Sequence, residues 1–89
     1  MKLKYEFAYI GTGNEFNAVP VGAGAEKQNV LLKLSPSARE IMDLLKEETT
    51  TDIITKKLHE RYQDSTPNEI RESVNGFISK LDEAGFLTK

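Results

Sequence analysis

Apolar and polar positions keep one rhythm before Ser35 and another after it. Residues 3–10 alternate with period two: Leu3, Tyr5, Phe7 and Tyr9 fall on one side, and Lys4, Glu6 and Ala8 on the other. Alternation rich in aromatics predicts a half-buried strand. Gly11, Thr12, Gly13 and Asn14 suit a tight turn, after which residues 15–21 return as a second strand. Pro20 cannot donate to a ladder, so it belongs near that strand's end or on an edge. Residues 22–28 are small and polar and read as a flexible loop. Residues 29–34 form a third strand, the most apolar of the three, with Val30, Leu32 and Leu34 sharing a face.

Beyond Ser35 the apolar spacing changes to that of helices. Ser35 suits an N-cap and Pro36 the first helical position, where a missing N–H costs nothing. Ala38, Ile41, Met42 and Leu45, with Leu44 beside them, give an apolar stripe over residues 36–46. Thr49 and Asp52 fit a capping box opening a second helix over residues 50–62, with Ile54, Leu58 and Tyr62 on its inner face and Ile53 alongside. The third helix, residues 67–84, has the fullest set of signals. Thr66 caps it, Pro67 enters it and Glu69 completes a capping box. Ile70, Val74, Phe77, Leu81 and Ala84 lie along one face, widened by Ile78. Gly85 takes the left-handed position after the helix, and Phe86 can fold back on Leu81. Gly76, inside the helix, either admits a close neighbour or costs about 1 kcal/mol relative to alanine.

These elements predict an α+β fold: a three-stranded N-terminal antiparallel sheet followed by a three-helix, winged-helix-like bundle, with residues 1–89 as a single domain. A winged-helix DNA reader usually carries a β-hairpin after its third helix. Here only Leu87, Thr88 and Lys89 follow Phe86, so no such wing is expected.

Composition narrows the chemistry. Hydrophobic residues make up 38% of the chain and charged residues 29%, which fits a soluble globular protein. No apolar run approaches the ~20 residues that span a bilayer, and the start lacks the apolar core of a secretory signal. A cytoplasmic protein is expected, without a membrane partner. Without cysteine there is neither a disulfide nor a zinc-thiolate site. His59 stands alone and reads as a surface or boundary residue. Glu47 and Glu48, like Asp82 and Glu83, are neighbours that point apart on a helix. The Gly-x-Gly pairs at Gly11/Gly13 and Gly22/Gly24 precede no helix bearing Lys-Ser/Thr, so they read as turn glycines. Serines lack a nucleophile-elbow context. The chain is therefore expected not to be an enzyme and to need no cofactor or metal.

Charge argues against nucleic acid as a specific partner. Residues 1–34 carry a net +1, and the remainder a net −3. The third helix offers Arg71 and Lys80 against Glu69, Glu72, Asp82 and Glu83, whereas phosphate neutralisation supplies most of a DNA binder's affinity.

The order and spacing of these residues resemble the PqqD-like family, also called RiPP recognition elements, over residues 29–87. The resemblance rests on Leu34-Ser35, then Ala38-Arg39-Glu40-Ile41-Met42-Asp43-Leu44-Leu45, then Thr50-Thr51-Asp52-Ile53-Ile54 with Leu58, and finally Val74, Phe77-Ile78, Leu81 and Gly85-Phe86-Leu87. The chain departs from the family's pattern at Met42, where an aromatic is common, at Lys46-Glu47 in place of Asp-Gly, and at Ser35 in place of asparagine. The resemblance implies three strands packed on three helices and a non-catalytic role. A precursor's leader peptide adds as a strand to the sheet edge, lies against the third helix, and is presented to a modifying enzyme, often a radical SAM protein. On this chain that implies a peptide site formed by Val30, Leu31, Leu32 and Lys33 of the third strand. Arg71, Asn75, Ile78 and Asp82 complete it from the third helix, spaced i, i+4, i+7 and i+11. Two other readings stay open: a winged-helix-like DNA-binding or regulatory module, and an interaction domain forming a homodimer through a strand edge.

Overall fold

The structure, a computed structural model, describes residues 1–12, 14–22 and 31–88. In chain order the elements are β1 (Lys2–Leu3), β2 (Phe7–Thr12), β3 (Glu15–Pro20), β4 (Leu32–Leu34), α1 (Pro36–Leu44), α2 (Thr51–Arg61), α3 (Pro67–Glu83) and β5 (Leu87–Thr88). Strands β2, β3 and β4 form an antiparallel sheet in that order, and β1 pairs with β5 in a second, two-stranded one. The α+β architecture matches the sequence expectation: sheet first, three helices after.

The alternating segment 3–10 is two strands rather than one. Its first residues are recruited elsewhere: the Leu3 N–H donates to the Leu45 carbonyl at 2.9 Å and the Lys4 N–H to the Phe86 carbonyl at 2.8 Å. The facing survives the break, since Leu3, Tyr5, Phe7 and Tyr9 all pack against the core. Pairing of Thr12 with Glu15 leaves only Gly13 and Asn14 for the turn, and Gly13 lies outside the described residues. Gly11 belongs to β2. A Cβ there would sit 2.2 Å from the Glu15 carbonyl oxygen and 2.8 Å from the Phe16 Cα, so close backbone approach demands glycine. The expected loop 22–28 is described only at Gly22, whose φ of 64° is left-handed. Of the third strand expected over residues 29–34, Leu32–Leu34 is a strand and Leu31 is not; residues 29 and 30 lie outside the described residues.

Helix ends follow the capping residues, with one correction. The Ser35 hydroxyl accepts from the Ala38 N–H at 3.2 Å, and α1 ends at Leu44, slightly before residue 46. α2 is capped by Thr50, not Thr49: Thr50 Oγ1 accepts from the Ile53 N–H at 3.2 Å. Thr49 is buried and donates its N–H to the Met1 carbonyl, so tertiary pairing removes it from the cap. At α3 the box closes both ways, Thr66 Oγ1 accepting from the Glu69 N–H at 3.2 Å and Glu69 Oε1 from the Thr66 N–H at 3.1 Å. The helix terminates in a Schellman motif. Gly85 has φ 79°, the Phe86 N–H reaches the Leu81 carbonyl at 2.9 Å and the Gly85 N–H the Asp82 carbonyl at 3.0 Å.

One core joins sheet and helices. Ala18 and Leu34 enter from the sheet, Met42, Leu45, Ile54, Val74 and Leu81 from the helices. On α2 Ile53 is exposed, as is Tyr62 just beyond its end, while Thr55 is buried with its hydroxyl donating to the Thr51 carbonyl at 2.8 Å. Phe86 does more than fold back on α3. Fully buried, it meets Tyr5 and Phe7 edge to face, at 6.3 and 5.1 Å between centroids.

Candidate functional site

Register decides which backbone groups the sheet leaves for a guest. The Val21 N–H donates to the Glu6 carbonyl at 2.9 Å, which makes Glu6–Val21 a hydrogen-bonded pair. Such pairs alternate in an antiparallel ladder. Ala8–Val19, Ile10–Asn17 and Thr12–Glu15 therefore bond, while Phe7, Tyr9 and Gly11 turn their N–H and C=O away from β3. On its other side β3 bonds β4 through Ala18–Leu32 and Phe16–Leu34. Lys33 consequently directs its N–H and C=O off the outer edge of β4.

Side chains follow the pleat. Leu34 is buried and Leu32 half-buried, whereas Lys33 and Leu31 are exposed, Leu31 at 56%. Val30 lies outside the described residues. On α3, Arg71 and Asn75 are exposed, and Ile78 and Asp82 half-buried, in keeping with a strip running beside the core stripe. Leu32 of β4 and Ile78 of α3 pack against the same core cluster.

Arg71 is committed to a partner that the sequence did not reveal. Its guanidinium donates to Asp52 of α2 at 2.6 Å. Lys33 has no ion pair among the described residues. Of the two cations expected to meet an acidic ligand, Lys33 is thus the readier. The missed contact joins residues far apart in sequence, for which no local pattern exists. The free edge of β2 was also missed; its signal, an uncharged strand at one end of the sheet, emerges only once strand order is known.

Around these edges the surface has shape and charge. A groove of about 480 Å³ is lined by Tyr5, Phe7, Tyr9, Lys4, Lys46 and neighbouring residues of the first segment. A smaller depression, about 230 Å³, is floored by Ile41, Leu58 and Ile70, where the start of α1, the end of α2 and the start of α3 meet. Burial pushes the Tyr9 phenol up from its ordinary value; the Arg39 guanidinium, 3.5 Å above the ring, opposes this and Asp43 adds to it. The Tyr9 hydroxyl is buried without a hydrogen-bond partner among the described residues. The bonds from Thr66 hold the Glu69 carboxyl below the usual glutamate range. Among the described residues, no group of three or more His, Cys, Asp or Glu is placed to hold a metal, and no helix is long and apolar enough to cross a membrane.

Residues 25–87 match the model of a protein family described as coenzyme PQQ synthesis protein D (PqqD). No curated protein and no solved structure matches the chain.

Proposed function

The chain belongs to the PqqD family, and from that premise we propose that it is a non-catalytic peptide-binding protein that takes up the leader of a ribosomally made precursor by strand addition at β4. The bound leader is then presented to a modifying enzyme, a radical SAM protein being the expected class. The observation that carries this reading is the outer edge of β4, unpaired among the described residues, where Lys33 directs both main-chain groups outward. Main-chain bonds at such an edge give affinity, and pockets for alternate side chains give selectivity. Leu32 and Ile78, both half-buried against one core, supply an apolar floor for those side chains, and Leu31, Asn75 and Asp82 line its sides. Val30, which the sequence pattern places on one face with Leu32 and Leu34, would add to that floor. Lys33 meets an acidic leader residue; Arg71 does so only by exchanging Asp52, an exposed pair worth up to about 1 kcal/mol.

The test is an NMR titration of the labelled protein with the leader of a short precursor encoded beside it. Amide shifts should concentrate at Leu31–Leu34 and along Arg71–Asp82. Lys33→Pro removes only an outward N–H and should abolish binding while the fold survives. Shifts confined to α1 and α2, or full binding by Lys33→Pro, would overturn the site.

A further inference from the structure

Among the described residues the sheet has a second free edge, and it is built differently from the one at β4. Strand β2 runs Phe7-Ala8-Tyr9-Ile10-Gly11-Thr12, without a charge or a proline. Natural edge strands usually carry such residues to block unwanted pairing. Phe7, Tyr9 and Gly11 turn their N–H and C=O outward, and among the described residues none of them forms a main-chain bond outside the β2–β3 ladder. On the outer face Ile10 is 66% exposed, the most exposed large hydrophobic among the described residues.

We propose that this edge pairs with the same edge of a second copy, antiparallel about a two-fold axis at Tyr9. The register is fixed by the groups that point outward. Tyr9 faces the partner's Tyr9 and exchanges two main-chain bonds with it. Phe7 faces the partner's Gly11 and exchanges two more, and the symmetry repeats that pair. This uses every outward donor and acceptor of Phe7, Tyr9 and Gly11. Side-chain size agrees with it: Phe7 lies opposite a glycine, and Ile10 opposite the partner's Ala8. Ala8–Ile10 is then a non-hydrogen-bonded pair, the kind in which side chains approach more closely, so the exposed Ile10 is covered. An isologous interface of this kind needs no charge complementarity, and β2 has no charge to oppose it.

The product is a continuous six-stranded sheet with a β4 edge at each end. Both β4 edges stay open, so pairing through β2 does not compete with a guest at β4. With only short strands in contact, the buried surface falls below the ~1,600 Å² of a standard interface, and association is weak and concentration-dependent.

Sedimentation equilibrium of the full chain from micromolar into the millimolar range tests this. The wild type should dimerise. Ile10→Lys, at an exposed site where the fold has little to lose, should raise the dissociation constant on the order of tenfold or more, because two lysines then face each other diagonally across the pairing. Leu31→Lys, beside the other edge, should leave it unchanged. On the wild type, amide exchange at Phe7, Tyr9 and Gly11 should slow as concentration rises, while exchange at Lys33 does not. A wild type monomeric throughout, a dimer indifferent to Ile10→Lys, or one weakened equally by Leu31→Lys overturns the proposal.

Discussion

Helix α3 and strand β4 hold their places by opposite means. Everything that starts and stops α3 lies within residues 66–86: the reciprocal bonds of Thr66 and Glu69 at one end, the left-handed Gly85 and the folded-back Phe86 at the other. Nothing in β4 itself says where it begins. Its ladder depends on β3, and β3 reaches its end at Pro20. Local sequence thus sets the limits of the helix, whereas the strand is held by a partner distant in sequence.

Substitutions can separate the two modes. The largest effect is expected where they meet. Phe86→Ala removes a fully buried ring that ends α3 and also receives Tyr5 and Phe7, so it should cost about 3–5 kcal/mol in denaturant titration. Separate melting of helices and sheet in that variant would show the two regions to be less coupled than the shared core implies. Next come neighbouring prolines in β4. Leu32→Pro breaks a bond to Ala18 inside the sheet and should cost about 3 kcal/mol or more, whereas Lys33→Pro should cost far less. Equal losses would mean that the outward assignment of Lys33 is wrong.

Smaller effects test α3 alone. Thr66→Ala should cost about 1 kcal/mol through the lost cap. Because the folded pKa of Glu69 is lowered, its contribution is complete above the unfolded glutamate pKa. It is lost as pH falls through the lower folded value. Melting curves of wild type and Glu69→Ala should therefore approach each other on acidification through that window; a constant gap would leave the charge of Glu69 without effect. Gly76→Ala should stabilise by about 1 kcal/mol, since a Cβ at Gly76 has nothing within 4 Å. Destabilisation would mean that this helix face has a neighbour in solution.

The same contrast explains what could be read without coordinates. Three helices, the Thr66 box, the Gly85 stop and the inward facing of Leu3, Tyr5, Phe7 and Tyr9 were legible because each depends on residues close in sequence. The row Thr49-Thr50-Thr51 offered two caps, and only the burial of Thr49 against Met1 decides between them. Strands β1 and β5 were illegible, because two residues carry no period. For the candidate site, sequence indicated β4 and one side of α3. It could not indicate that Arg71 is held by Asp52, nor which residue of β4 turns its main chain outward.

The pairing of Lys2 with Thr88 and Leu3 with Leu87 gives this chain a nearly circular path. A short linker could connect Thr88 to Lys2 without disturbing the pair, and the segment could be reopened between α2 and α3, where Gln63 and Asp64 are exposed. Such a permutant would start at α3, pass through the join into β1 and the sheet, and finish at α2. It would retain every strand pairing described above and carry its new ends between α2 and α3, outside the sheet, where a partner could be fused.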